Sequence, residues 1–249
     1  MNRKQAAAVL ILLLVGTSTL FVLFPPSSDS FHFESEVPED VYSRYLLWIS
    51  GLEDCILNIS FTDDPILYYS LDVELYNPYP ASSAFELTVT EGESMYWVKF
   101  EGMVETKALN IVLGSGVPYE LLVIGTNVTA SIIYEDNAIG SSAELEYSAT
   151  GPSLNLVLTE DMTFSEIGME VLVGRTAQPD YVYLYTNLPD GVNGLAGFRE
   201  PLYLQESTGW AFRSRFIDSV SYSTDPLIPE PLLKISVIAK YGIYAWLSD

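Results

Sequence analysis

Read for apolar and polar positions alone, the chain divides into two unequal parts. Ala6 to Phe24 contains no charged residue and is mostly Ala, Val, Leu, Ile and Phe. Its nineteen residues, as a helix rising about 1.5 Å per residue, span about 28 Å, close to the hydrocarbon thickness of a bilayer. No polar stripe gives the run a second face, so it predicts a transmembrane helix over 6–24 rather than a buried core helix. The flanks are Met1-Asn2-Arg3-Lys4 before it and Pro25-Pro26-Ser27-Ser28-Asp29 after it. Cations on the first flank place residues 1–5 in the cytoplasm and everything after the run outside it. A cleaved signal peptide is the competing reading. It requires a shorter apolar core and a small-x-small site, whereas Phe21-Val22-Leu23-Phe24 runs straight into the prolines. Residues 25–36 read as a short polar tether, and 37–249 as one extracytoplasmic domain.

In that domain the pattern changes to short apolar runs rich in Tyr, Val, Ile, Thr and Phe, punctuated by turn clusters such as Thr62-Asp63-Asp64-Pro65, Asn77-Pro78-Tyr79-Pro80 and Gly151-Pro152-Ser153. Such spacing predicts an all-β architecture, a sandwich, barrel or solenoid of short strands. Only Val41 to Leu52 is ambiguous, compatible with a turn or two of helix.

The runs repeat. Leu57-Asn58-Ile59-Ser60-Phe61-Thr62 aligns with Leu109-Asn110-Ile111-Val112-Leu113-Gly114 and with Leu154-Asn155-Leu156-Val157-Leu158-Thr159, at offsets of 52 and 45 residues. A weaker echo is Leu233-Lys234-Ile235-Ser236-Val237-Ile238. Each copy leads through a turn into another apolar strand: Ile66 to Val73, Tyr119 to Ile124 and Ile167 to Val173. One strand-turn-strand unit cannot bury its apolar face alone, so the units are expected to stack on a shared core. The recurrent Asn is then placed to form a ladder of side-chain amides or to cap each strand.

Leu109 to Leu122, Leu154 to Leu158, the closing Leu233 to Trp246 and the run Tyr183 to Gly191, with its Leu188-Pro189 turn, resemble the strand-repeat domains called putative adhesins, or toast-rack type. The resemblance extends over residues 50 to 247. It implies a solenoid or sandwich-like stack of short strands held outside a membrane anchor, and no catalytic residues.

Charge narrows the partners. The net charge is -22; all 33 acidic residues follow the apolar run, and the eleven basic residues less Arg3 and Lys4 leave nine beside them. Such a surface repels nucleic acid and anionic headgroups. The single cysteine, Cys55, excludes a disulfide scaffold and reads as a buried thiol in Cys55-Ile56-Leu57.

Candidate chemistry is sparse. The one histidine, His32, falls in the expected tether with no folded neighbours to make it a catalytic base. Gly114-Ser115-Gly116 lacks the nucleophile-elbow spacing and reads as a turn. One His and one Cys cannot close a zinc site. Paired acids at turns, Asp63-Asp64, Glu135-Asp136 and Glu160-Asp161, are weak calcium candidates, with solvated turns as the plainer reading. No cofactor motif is present, and Gly191 to Gly197 reads as a surface loop. Asn127-Val128-Thr129 and Asn58-Ile59-Ser60 are glycosylation sequons, Asn127 in a turn and Asn58 in a strand. Tyr181, Tyr183 and Tyr185 alternate with Val182 and Leu184, so a strand places the three on one face. That face suits a sugar or a protein partner; the alternative is a half-buried face under a loop. Tyr68-Tyr69, Tyr76 and Tyr79 carry a weaker form of the same signal. The expectation is a membrane-anchored, non-catalytic β domain for binding, adhesion or envelope organisation. Two alternatives stand beside it: a structural subunit of a surface assembly, and a carbohydrate-active enzyme using paired carboxylates.

Overall fold

The structure, a computed structural model of the chain, describes residues 27–134, 144–164, 168–225, 227 and 230–249. The apolar run 6–24 lies outside these residues, and among the described residues no helix is long and apolar enough to cross a membrane. Strands make up nearly all the regular structure of the described residues, with one short helix among them. In order come β1 (Ser27–Glu36), β2 (Arg44–Glu53), β3 (Ile56–Phe61), β4 (Leu67–Pro80), the one-turn helix α1 (Ala81–Ala84), β5 (Phe85–Glu91) and β6 (Met95–Gly102). Then follow β7 (Thr106–Leu113), β8 (Tyr119–Thr126), β9 (Thr129–Tyr134), β10 (Glu144–Ala149), β11 (Gly151–Leu158), β12 (Met169–Val173) and β13 (Pro179–Asn187). The last are β14 (Gly194–Arg199), β15 (Leu202–Ser207), β16 (Ala211–Phe216), β17 (Ser219–Ser223), β18 (Leu233–Val237) and β19 (Gly242–Ser248).

These strands form two sheets. Sheet A has nine strands, β1-β4-β7-β3-β9-β11-β13-β19-β15, and sheet B ten, β16-β17-β14-β18-β12-β10-β8-β2-β6-β5. The shared order shows the building unit. Seven times the chain runs a strand in sheet B, turns a corner and runs the next strand in sheet A: β6–β7, β2–β3, β8–β9, β10–β11, β12–β13, β18–β19 and β14–β15, in spatial order. Neighbouring units pair in parallel in both sheets, for example β11 with β13 and β10 with β12. The architecture is therefore a two-sided stack of rungs, closed at its ends by antiparallel strands: β4, β1 and β5 at one end, β17 and β16 at the other. Terminal strands of different character are what a solenoid needs to shield its last rungs.

Alternation explains the core. Leu57 and Ile59, Leu109 and Ile111, and Leu154 and Leu156 project inward from sheet A, all at most 1 % exposed. Leu47 and Ile49, Leu121 and Val123, and Val98 and Phe100 meet them from sheet B, within the same limit. All belong to one contiguous cluster. Burying a side chain of this size is worth about 1.5–3 kcal/mol. The alternate positions face outward: Asn58, Asn110 and Asn155 on sheet A, and Trp48, Leu122 and Lys99 on sheet B.

The corners need unusual backbone. Asp54 and Asn127, at successive corners, have φ of 51° and 55°, a left-handed conformation that Asn and Asp tolerate better than most residues. The Asp54 amide donates to the Thr126 carbonyl at 3.1 Å and the Thr129 amide to the Cys55 carbonyl at 2.9 Å, tying one corner to the next. At the end of β2, a Cβ on Gly51 (φ 68°) would lie 2.2 Å from the Gly102 carbonyl oxygen, so the close approach of β2 and β6 there requires glycine.

Two expectations are corrected and one ambiguity is resolved. Residues 27–36 are not a free tether: Phe31 and Phe33 pack edge-on against Phe85, at 5.2 and 5.1 Å between ring centres, and hold β1 along β4. The ambiguous stretch around residues 41–52 contains strand β2, whose alternate residues Tyr45, Leu47 and Ile49 are buried. The repeated strand-turn-strand units are not alike: β7–β8 and β11–β12 cross from sheet A to sheet B, whereas β3 and β4 both lie in sheet A, on either side of β7. The echo at Leu233 lies in β18 of sheet B, whereas the three Asn-bearing copies lie in β3, β7 and β11 of sheet A.

Candidate functional site

Strict register builds the outer face of sheet A. One row of side chains crosses all nine strands: His32, Asp72, Asn110, Asn58, Ser131, Asn155, Tyr183, Tyr244 and Tyr203 are successive neighbours. Its first half is polar. His32 Nδ1 lies 2.7 Å from Asp72 Oδ1, Asn58 Nδ2 donates to Asn110 Oδ1 at 2.8 Å, and Asn155 Nδ2 donates to Ser131 Oγ at 3.4 Å. The amide ladder expected from the repeat is thus partly formed, with Ser131 standing between Asn58 and Asn155.

The second half of the row is aromatic. Tyr183 stacks on Tyr244 with centroids 5.3 Å apart and planes 13° apart, and Tyr203 stacks on Tyr244 from the other side at 4.9 Å and 19°. Two residues along, Tyr185 and Trp246 stack at 4.4 Å and 10°. Tyr181 lies obliquely, 47° from both Tyr241 and Tyr244. The three tyrosines singled out in the sequence therefore share one face, and it is open: Tyr181 and Tyr185 are each 37 % exposed. Tyr183, between them, is half-buried.

The stacking decides what the face presents. Rings on adjacent strands cover one another's faces and direct their edges and hydroxyls outward. Uncovered ring surface remains where the ladders end or tilt, at Tyr203 on the edge strand β15 and at the oblique Tyr181 and Tyr241; Tyr203 and Tyr241 are 46 % and 50 % exposed. Gly242 lets the Tyr203 ring lie close over the β19 backbone, since a Cβ there would lie 2.9 Å from the ring. Lys240 Nζ sits 4.8 Å from the centre of the Tyr241 ring and 3.7 Å from Asp180 Oδ1, a cation over an aromatic face. The bordering carboxylates are Asp180 and Glu206, the latter in register with Trp246.

Tyr203, Tyr241, Tyr244 and Trp246 were not singled out in the sequence. Tyr244-Ala245-Trp246 alternates as Tyr181 to Tyr185 does, which was a usable signal. Tyr203 gave none, because its place depends on β15 pairing with β19.

The other candidates fall elsewhere. His32 is on β1, not isolated: hydrogen bonding to Asp72 chiefly, with charge from Asp72 and Glu34, raises its pKa above 6.5. Asp64 Oδ1 accepts the Ile66 amide at 2.9 Å and the Leu67 amide at 3.3 Å, which gives that acid pair a turn-forming task. Glu160 and Asp161 are exposed beyond β11, and Glu135 and Asp136 lie outside the described residues. Among the described residues no group of three or more His, Cys, Asp or Glu is placed to hold a metal ion. Asn127 is exposed at its corner with its side-chain amide bonded to Asp54. Asn58 is exposed on β3 but engaged by Asn110. Cys55 is buried, and desolvation pushes its thiol up to about 12. Tyr68 and Tyr69 are in the core, whereas Tyr76 and Tyr79 are exposed near the end of β4. Gly114-Ser115-Gly116 links β7 to β8, and the segment read as a loop at 191–197 enters strand β14 at Gly194.

Among solved structures, the chain matches a putative cell adhesion protein from Clostridium sporogenes ATCC 15579 with a TM-score of 0.50, covering 88 % of this chain and 100 % of that one at 9 % identity. The fold is adhesin-like. A putative adhesin from Bacteroides fragilis NCTC 9343 also matches, over 88 % of this chain and 98 % of that one at 9 % identity, but with a TM-score of 0.21 the overlay carries no argument. No family model matches the sequence, and no curated protein does. At such identity the likeness concerns the fold alone.

Proposed function

We propose that the chain is a membrane-anchored, non-catalytic binding module displayed outside the cytoplasm, and that it engages a glycan through the aromatic end of the outer face of sheet A. The observation that carries this reading is the open group of Tyr181, Tyr203 and Tyr241 beside the Tyr183–Tyr244 and Tyr185–Trp246 stacks. Ring faces left open at Tyr203 and Tyr181 suit the apolar faces of sugar rings, and the row of tyrosine hydroxyls suits their polar rims. Fixed strands position these groups without further ordering, which lowers the entropic cost of binding. The acidic surface favours a neutral or amino-sugar glycan over an anionic one. The adhesin-like fold supports a binding role, and the uncharged run at 6–24 behind Arg3 and Lys4 supports the anchor.

The test is a binding screen of the full chain in detergent against neutral, amino-sugar and anionic oligosaccharides, repeated with Tyr181→Ser combined with Tyr203→Ser. Binding to neutral or amino-sugar chains, weakened about tenfold or more in the double variant, the scale of about 1.4 kcal/mol, supports the proposal. Equal binding by both proteins, or binding only to anionic chains, contradicts it.

A further inference from the structure

The stack of rungs ends unevenly. Beyond the last rung at one end, sheet B continues for two strands, β17 and β16, and sheet A for none; at the other end, sheet B continues for one strand, β5, and sheet A for two, β4 and β1. Among the described residues, β5 and β16 each have a paired neighbour on one side only. Such edges present a row of backbone donors and acceptors ready to pair with another strand.

Charges of opposite sign mark the two edges. β5 carries exposed Glu86 and Glu91, and β16, exposed along its whole length, carries Arg213 and Arg215. Arg215 also pairs with Glu200, whereas Arg213 sits at the irregularity in β16. Charged edges ordinarily act as guards. Here they guard selectively: β5 against β5 sets acid against acid and β16 against β16 sets base against base, but β5 against β16 is attractive. Apolar surface is exposed on both edges as well, Val89 at 46 % and Phe212 at 59 %.

Strand direction agrees. β16 lies two antiparallel steps from β14 and so runs with the rung strands of sheet B; β5 is antiparallel to β6 and runs against them. A second copy displaced along the stack therefore brings its β5 alongside β16 in the antiparallel sense, the more stable pairing. Between the two sets of rungs sheet B would then hold three strands, and sheet A two. β1 of the second copy would lie two strand spacings, about 9.6 Å, from β15, a gap of one missing strand. Its acids Asp29, Glu34 and Glu36 would not be pressed against Glu206.

We infer that copies of this chain join head to tail through sheet B, β5 of one copy to β16 of the next. The contact uses two different surfaces, so unless a rotation closes a ring it propagates as an open chain. It is weakened by salt, which screens exposed charges beyond about 10 Å at 0.1 M. The inference stands apart from the ligand reading, since the aromatic face lies on sheet A.

Cysteine cross-linking of the full chain in membranes tests it. Thr88 and Ser214 lie within the two edge strands, and the native Cys55 is buried. Under oxidation, Thr88→Cys with Ser214→Cys in one chain is expected to give a ladder of dimers, trimers and higher species. Either substitution alone is expected to give monomer, and a mixture of the two single variants only dimer. Sedimentation of the full chain in detergent supplies a readout independent of register, with mass rising with concentration at low salt. Glu86→Lys with Glu91→Lys should abolish that rise. Adding Arg213→Glu and Arg215→Glu to the same chain should restore it, which a folding defect would not do. A constant monomer mass at low salt, or cross-linked dimers from a single-cysteine variant, overturns the inference.

Discussion

Asn58 and Asn110, 52 residues apart in the chain, are directly opposite each other on β3 and β7, and the side-chain amide of one donates to the carbonyl oxygen of the other at 2.8 Å. Leu57 lies opposite Leu109 and Ile59 opposite Ile111 in the same register. The repeat in the sequence is thus a repeat in space, with its apolar members inward and its amide outward. The two classes of position should respond differently. Leu57→Ala or Leu109→Ala is expected to cost about 2–5 kcal/mol by denaturant unfolding, as a cavity opens in the core. Asn110→Ala should cost only about 0.5–1.5 kcal/mol, the worth of one hydrogen bond beside solvent.

His32 is the single histidine, so its titration can be followed without assignment ambiguity. Asp72 holds it above its ordinary 6.5. A value raised in the folded state means that the interaction supports folding fully below about 6.5 and is lost as pH rises through the folded value. An NMR titration should show the raised midpoint, and Asp72→Asn should lower it. His32→Gln should reduce the melting temperature at pH 5.5 and leave it unchanged at pH 9.

Glu144 on β10 behaves in the opposite way to a stabilising carboxylate. Burial first, then Glu170, Glu120 and Glu146, raise its pKa above 4.5 despite Arg44 nearby; Glu170 is opposite it on β12, and Arg44 is committed to Glu120 at 2.6 and 2.7 Å. The protonated form is favoured by folding, so the charge is a penalty at neutral pH that disappears as pH falls below the unfolded value. Glu144→Gln should raise the melting temperature at pH 7 and have no effect near pH 3.

Cys55 should be inert in the folded chain. Its thiol is 2 % exposed and pushed up to about 12 by desolvation, so thiolate is scarce at pH 8. A thiol-reactive dye should label the native protein negligibly and the denatured protein fully.

The sequence carried one kind of information well and another poorly. Period-two alternation says which face a residue occupies, and it placed Tyr181, Tyr183 and Tyr185 together and Leu57 and Ile59 in the core. It says nothing about which strand lies beside which. Hence the β2–β3 rung, first in the chain, lies between β6–β7 and β8–β9, and the β18–β19 rung inserts between β12–β13 and β14–β15. That insertion brings Tyr244 and Trp246 against Tyr183 and Tyr185, and Tyr203 against Tyr244. The polar look of Ser27 to Glu36 concealed β1, because only one of its faces, bearing Phe31 and Phe33, meets the core. The edge charges were visible in Phe212-Arg213-Ser214-Arg215-Phe216, but their opposition to Glu86 and Glu91 depends on which strands end the sheet.

Display outside the cytoplasm underlies every functional proposal above, and one labelling measurement addresses it directly. Ile217, 90 % exposed at the tip of the β16–β17 hairpin, can be replaced by cysteine while native Cys55 stays buried. Intact cells making the full-length Ile217→Cys variant should be labelled by a membrane-impermeant maleimide as completely as lysed cells. Labelling that appears only after lysis would place the β domain inside the cell and contradict its role as a surface binding module.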